Sequence, residues 1–187
     1  MTKDIANVFK NSLENLKQSG LISHLEGLVR SLEYKPTGAE KITKIPYPVD
    51  CSEPEVCLEC ESIKVCVPEK SKKCLVYFEG TTASELATLD GATKYGATLS
   101  LVCWYNLGFF EKQDFLQTTF IAKFSNLIKK TSSVYSESCP IVFKDAEVVK
   151  VYDNDPSIFS KYSYNEQKSD FLGCKYSSFK IDFNVKF

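Results

Sequence analysis

A chain of 187 residues is long enough to bury the core of one domain and short for two, so we interpret residues 1–187 as a single domain. Its 23 basic and 24 acidic residues nearly cancel, and no overall field draws the protein toward nucleic acid or an anionic membrane. Arg30 is the only arginine, which argues against a dedicated reader of phosphate or guanine, because such readers depend on the planar guanidinium group.

The start of the chain lacks the apolar run of a signal peptide, and no uninterrupted apolar stretch of about 18 residues occurs anywhere in the sequence. These features predict a soluble protein made inside a cell. Cysteines in that setting are more often reduced and half-buried than paired, which is how we interpret the eight cysteines of this chain.

The N-terminal segment is predicted to be helical, because its apolar residues recur at helical spacing. The first set is Ile5, Val8, Phe9, Leu13 and Leu16. Ser19 and Gly20 interrupt the pattern before a second helical set begins. This second set is Leu21, Leu25, Leu28, Val29 and Leu32. We therefore expect two short helices, or one kinked helix, within residues 1–33.

Three prolines and a glycine within residues 34–49 predict an extended connector, which we assign to residues 34–55, and residues 56–187 are predicted to form an α+β core. Within that core, Leu75–Phe78 predicts the returning strand of a hairpin whose first part lies in residues 56–67. Residues 82–93 carry a short helical pattern that ends at Gly91.

Residues 95–130 predict a buried strand followed by an amphipathic helix. Both parities of the strand, residues 95–105, carry apolar side chains, which is typical of a central strand. Asp114 and Gln117 form a capping-box pattern at the start of the helix. The apolar face of the helix is predicted to be Phe120, Phe124, Leu127 and Ile128.

The last third predicts a strand at residues 146–152, a brief helix that Pro156 opens, and a terminal strand at residues 176–187. Strict alternation makes this strand the clearest in the sequence. Its apolar side is Phe179, Ile181, Phe183, Val185 and Phe187. Together these elements predict an α+β fold with a mixed or antiparallel sheet, packed against an amphipathic helix and joined to the N-terminal helices.

No catalytic residue is predicted, and we interpret the protein as a non-enzyme without a cofactor. His24 is the only histidine, and we interpret it as a packing residue at the edge of a helical apolar face. A Ser–His–Asp or Cys–His arrangement would have to use His24, yet the sequence contains no GxSxG motif to mark a nucleophile. It also contains no phosphate-binding loop and no dinucleotide-binding motif. A hydrolase is kept as a third hypothesis.

Five cysteines cluster between residues 51 and 74, and two of them form a CxxC pattern. A zinc site needs a second pair of ligands at comparable spacing, and the remaining spacings are irregular. We interpret these residues as ordinary strand cysteines and predict no metal. The alternative that stays open is a small metal-binding module with the ligands Cys57, Cys60, Cys66 and Cys74.

Aromatic residues make up 13% of the chain and crowd its last third. Filling of the core and contact with another subunit explain this surplus equally well, since interfaces also enrich Tyr and Phe. The candidate interface residues are Phe159, Tyr162, Tyr164, Phe171 and Tyr176.

The C-terminal pattern of a brief helix, an aromatic-rich segment and an alternating terminal strand resembles the ending of neck and tail ring proteins of tailed bacteriophages, especially the crAss-like phages of gut Bacteroides. The amphipathic N-terminal helix, the Pro-rich connector and the strand-rich middle are similar to the same class. The five-cysteine segment departs from it.

The resemblance implies a structural virion protein, related to head–tail connector or tail-terminator domains. Such a protein forms a homo-oligomeric ring around the DNA channel, through contacts that repeat between identical chains. Its implied partners are itself and other neck, tail or portal proteins, without a membrane and without sequence-specific contacts to DNA. It is expected in the virion, after assembly in the host cytoplasm.

Overall fold

A computed structural model describes residues 2–35, 38, 40–49, 66, 70–80, 84–89, 92–111, 116–131, 145–162 and 175–186. The predicted α+β fold is confirmed: helices pack on a mixed β-sheet. The first part of the predicted hairpin, at residues 56–67, lies outside the described residues apart from Cys66. The candidate interface residues Tyr164 and Phe171 lie outside them as well.

The helical elements are α1 (Thr2–Gln18), the 3₁₀ segment η1 (Leu107–Phe109), α2 (Leu116–Thr131) and the 3₁₀ segment η2 (Pro156–Tyr162). The strands are β1 (His24–Tyr34), β2 (Thr43–Pro48), β3 (Cys74–Gly80), β4 (Ser84–Leu89), β5 (Ala92–Asn106), β6 (Asp145–Asp153) and β7 (Tyr176–Lys186). Among the described helices, none has both the length and the apolar character that a membrane crossing requires.

Six strands follow the order β2-β1-β3-β5-β7-β6, and β4 pairs with the first part of β5. The β1–β3 pair is parallel, whereas the other strand pairs described are antiparallel, so the sheet is mixed. β2 and β6 therefore lie at opposite ends of the sheet.

The segment predicted as a second helix is strand β1, and this prediction was wrong. Gly20 ends α1 in the left-handed region at φ 74°, and the N–H of Leu21 donates to the carbonyl of Leu16 at 3.0 Å. A β-bulge between Leu25 and Leu28 then lets both leucines pack on the same side of the sheet although they are three residues apart. The bulge thus imitates helical spacing within a strand.

The predicted connector and the predicted helix at residues 82–93 also contribute strands. β2 pairs with β1 from Val29↔Pro48 to Tyr34↔Thr43, so the first 49 residues help to build the same sheet as the rest. β4 forms a hairpin with β5, from Ser84↔Gly96 to Leu89↔Ala92. The short helix predicted at residues 82–93 was therefore wrong.

The helix-covered face of the sheet carries the larger core, where α1 and α2 pack on the alternating apolar side chains of β3, β5 and β7. Phe9 of α1 lies edge-on to Phe183 of β7 at 4.8 Å between ring centroids, and Phe124 of α2 lies 5.5 Å from Phe179. The alternation predicted for the terminal strand is confirmed from Phe179 to Val185, and Phe187 lies outside the described residues. Its buried side chains are Phe179, Ile181, Phe183 and Val185.

The opposite face carries a smaller core, which η2 covers in part, and we call this the η2-covered face. Tyr77 of β3 and Trp104 of β5 are fully buried there, and Tyr162 of η2 packs edge-on against Tyr77 at 6.5 Å. β5 thus has a core on each side and β3 and β7 as neighbours, which confirms its predicted central position.

Candidate functional site

β6 is an edge strand whose outer side meets no other strand in the described part of the chain. Its sequence, DAEVVKVYD, is rich in the β-branched and aromatic residues that favour strands, and it contains no proline. On its inner side it pairs with β7 from Asp145↔Lys186 to Asp153↔Phe179. An edge strand without proline keeps its outward N–H groups as hydrogen-bond donors.

A β-bulge within β6 turns Val149 outward. The register shifts between Val148 and Lys150, which leaves Val149 without an opposite residue on β7. Val148 packs against the larger core, whereas Val149 is 58% exposed and Val151 is 37% exposed. This edge strand therefore presents two aliphatic side chains to solvent.

A hydrogen-bond network around Gln117 of α2 fixes one end of β6. The side-chain oxygen of Gln117 accepts from the hydroxyl of Tyr105, and the hydroxyl oxygen of Ser177 lies 3.2 Å from it. Its amide nitrogen donates to Asp153 at 2.5 Å and to the carbonyl of Ser178 at 2.9 Å. The amide is thus committed to β5, β6 and β7 rather than to the capping box predicted with Asp114, a residue outside the described ranges.

Burial raises the pKa of Tyr105, one of the donors to this network, to about 12. The phenol is 1% exposed, and its ring lies 4.9 Å from that of Phe120. The hydrogen bond with Ser177 acts in the opposite direction and is outweighed. Tyr105 therefore stays protonated as a donor throughout the neutral range.

The turn after β6 is held by Asn154, which adopts a positive φ of 48°. Its side-chain oxygen accepts from the N–H of Ser178 at 2.9 Å and from the hydroxyl of Ser177 at 2.7 Å. Asn tolerates this left-handed conformation better than most residues. η2 then begins at Pro156, in accordance with the sequence prediction, and a hydrogen bond from Ser157 keeps the pKa of Asp155 below its ordinary value.

β2, at the other end of the sheet, presents a different edge. Pro46 and Pro48 lack an N–H, and the carbonyl of Pro46 accepts from the N–H of Cys66 at 3.2 Å. This edge therefore cannot donate a full ladder to an added strand. Ile42, directly before β2, is 58% exposed, and Lys44 pairs with Glu33 at 2.7 Å.

Two of the predicted interface aromatics lie inside the chain instead. Phe159 is 6% exposed and Tyr162 is 1% exposed, because both fill the core of the η2-covered face. Tyr176 is half-buried, with its ring 6.3 Å from that of Phe159. In this conformation Phe159 and Tyr162 are not available to a partner, since their own chain covers them.

A buried carboxylate anchors η2 to the sheet. Glu79 of β3 is 6% exposed, accepts a hydrogen bond from the hydroxyl of Tyr162 and lies 2.5 Å from the ammonium of Lys161. A buried carboxylate is stable only when such partners replace its hydration. The contacts of Glu79 with Tyr162 and Lys161 therefore attach η2 to the η2-covered face.

The two described ligands of the alternative metal site lie apart. Cys66 lies in the core of the η2-covered face, whereas Cys74 lies in the core of the helix-covered face. The sheet separates them, and the thiol of Cys74 instead contacts that of Cys103 at 3.6 Å. Burial, with a smaller effect of Cys74, raises the pKa of Cys103 well above its ordinary value. Cys57 and Cys60 fall outside the described residues.

His24 begins β1 rather than lying on a helix, which corrects its predicted location. Its Nε2 atom lies 2.8 Å from the carboxylate of Glu26, a residue that is only 5% exposed. The imidazole thus neighbours a buried acid beside the β1 bulge.

The exposed Val149 and Ile42 were missed by sequence reasoning. One signal for Val149 was available: the run Val148-Val149-Lys150-Val151 breaks the alternation of a regular strand, as a bulge does. Ile42 carried no such signal, since it stands alone between charged and polar neighbours. Comparison of the sequence with protein-family models and with curated proteins finds no match to either.

Proposed function

We propose that this protein is a structural virion protein, a subunit of a homo-oligomeric ring in the neck or tail of a crAss-like tailed bacteriophage. The observation that supports this proposal best is the β6 edge, which no strand of the described ranges covers and where Val149 is 58% exposed. Exposed apolar side chains on an edge strand favour a contact with another chain, and because the bulge and Lys150 oppose the addition of a further strand, we expect side chains to make this contact. A ring subunit uses the same feature to bind its neighbour.

The packing of the sheet supports a building block of fixed shape. β5 carries a core on each side, with Leu101, Val102, Cys103 and Trp104 all fully buried. Close-packed interiors deform little, so the angle between two contact surfaces on such a body stays constant. A constant angle is what a repeated contact needs in order to close into a ring.

The charge balance fits a ring that surrounds DNA without reading its sequence. With a single arginine and a net charge of −1, the chain offers few groups for bidentate contacts to bases and little overall attraction to phosphates. The partners we propose are therefore other copies of the chain and the adjoining neck, tail or portal proteins.

The oligomeric state of the purified protein tests this proposal. We expect native mass spectrometry and negative-stain electron microscopy at micromolar concentration to show closed rings. Val149→Asp should convert them to smaller species, because it places a charge in the apolar contact. Asn11→Asp, which adds the same charge at an exposed position of α1, is the matched control and should leave the rings intact. A wild-type chain that stays monomeric, alone and with phage neck proteins, would contradict the proposal.

A further inference from the structure

We propose that the subunits of this ring contact each other head to tail, with the β2 end of one copy packed against the β6 edge of the next. This inference rests on the ring function proposed above. The β6 edge consists of Glu147, Val149, Lys150, Val151 and Asp153. The β2 end consists of the exposed charged and aliphatic residues of the β1–β2 hairpin, which are Arg30, Glu33, Lys35, Glu40, Lys41, Ile42 and Lys44.

The two ends of the sheet differ in their backbone groups. At the β2 end, prolines remove N–H donors and the carbonyl of Pro46 is already bonded to Cys66. At the β6 edge, proline is absent and the bulge turns Val149 outward. Because the two surfaces are unlike, a contact between them is heterologous, and a heterologous contact is the kind that repeats around a ring.

Each end carries one strongly exposed aliphatic side chain. Ile42 and Val149 are each 58% exposed, which makes them the most exposed large hydrophobic residues of the described chain. They lie at opposite ends of the sheet, since one directly precedes β2 and the other lies in β6. A head-to-tail contact buries both against a neighbour in every subunit, whereas a two-fold contact through either end leaves the other exposed.

Charge complementarity favours the same pairing. The exposed charged side chains of the β2 end are four bases and two acids. Those of the β6 edge are two acids, Glu147 and Asp153, and one base, Lys150. Contact between two β2 ends would bring bases against bases, and like charges at an interface are unfavourable. Contact between a β2 end and a β6 edge brings a net positive surface against a net negative one.

Mixing two variants tests the inference. Ile42→Asp blocks the β2 end, and Val149→Asp blocks the β6 edge. We expect each variant alone to be monomeric, with self-affinity at least about tenfold weaker than wild type. In an equimolar mixture each copy keeps the one surface that the other copy needs. The mixture should therefore form a one-to-one heterodimer that cannot grow further, as measured by native mass spectrometry with one variant isotope-labelled.

Three results would overturn the inference. One is assembly of Ile42→Asp alone into a homodimer, which would indicate a two-fold contact through β6. Another is a mixture of the two variants that stays monomeric. The third is wild-type-like rings from either variant alone. If the wild-type chain forms rings, these results contradict only the head-to-tail contact and not the proposed ring function. A wild-type chain that stays monomeric would contradict the proposed function itself.

A folding control keeps the experiment decisive. Circular dichroism of both variants should match wild type, and so should their melting temperatures when the wild type is diluted until its rings dissociate, because the two side chains are more than half exposed. If either aspartate variant melts early, Ile42→Thr and Val149→Thr replace the pair and the same mixing experiment is repeated. Asn11→Asp mixed with each variant should give two kinds of assembly. One is a closed ring that contains only Asn11→Asp copies, and the other is an open chain that ends at the blocked surface of a variant copy.

Discussion

The two faces of the sheet bury their side chains by different means. The helix-covered face uses regular alternation along β5 and β7 against two amphipathic helices, and its core is almost entirely aliphatic and aromatic. The η2-covered face mixes Tyr77 and Trp104 with the buried carboxylate of Glu79, and a short 3₁₀ segment covers it. The comparison teaches that apolar area stabilises the first face, while the second depends on a few specific polar contacts.

The largest effect is expected on the helix-covered face. Phe183→Asp places a charge at a position that is 0% exposed, beside Phe9, and should destabilise the protein by about 4 kcal/mol or more. Lys186→Glu, on an exposed position of the same strand, is the matched control and should be mild. Soluble expression and thermal melting measure both. Unchanged melting of the Phe183 variant would contradict the packing of β7 against α1.

On the η2-covered face we expect an intermediate loss of stability when the carboxylate of Glu79 is removed. Glu79→Ala removes the buried acceptor of Tyr162 and should destabilise the protein by about 2–3 kcal/mol. Lys161→Ala removes a partner that is 51% exposed and should destabilise by less than about 1 kcal/mol. Urea unfolding of the two variants makes the comparison. Equal losses would show that the Lys161 pair, rather than the Tyr162 hydrogen bond, holds η2.

Alkaline pH should lower the free energy of unfolding, because the buried phenol of Tyr105 in the helix-covered face loses its proton. Its pKa of about 12 in the folded protein exceeds the ordinary tyrosine value of about 10, so folding favours the protonated phenol. This contribution is complete below pH 10 and is lost as the pH rises through 12, with a total loss of about 2–3 kcal/mol. Tyr105→Phe should flatten that part of the stability profile. A Phe variant whose stability falls as steeply as that of wild type between these pH values would exclude Tyr105 as the cause.

The smallest effect on stability is expected at the β6 edge. Val149→Asp changes a side chain that touches little of its own chain, so the free energy of unfolding should change by less than about 0.5 kcal/mol. The same variant is expected to abolish assembly. A large loss of monomer stability would instead assign Val149 to the core of one face.

The sequence predicted the helix-covered face well because one physical signal dominates there. Phe120, Phe124 and Ile128 recur at helical spacing, and the residues of β7 alternate strictly, so burial can be inferred from period alone. The prediction failed where a bulge shifts the period. In β1 the bulge between Leu25 and Leu28 imitates a helix, and in β6 it hides the outward turn of Val149.

The candidate site was harder to predict than the fold, since it depends on which residues remain uncovered. Phe159 and Tyr162 have the composition of an interface, yet η2 folds them onto the sheet. Gln117 has the spacing of a capping residue, yet its amide is used between strands. Such outcomes depend on contacts between residues far apart in the chain, which local patterns do not encode.

The length of β5 has a mechanical consequence. β3 and β4 pair with successive parts of this one strand, and β7 begins to pair only at Gly96, so residues 92–95 lie beyond the last described pair with β7. A continuous strand resists bending within the sheet plane. A force applied to the tip of the β4–β5 hairpin would therefore pass along the backbone of β5 to Trp104, where the strand is held between the two cores.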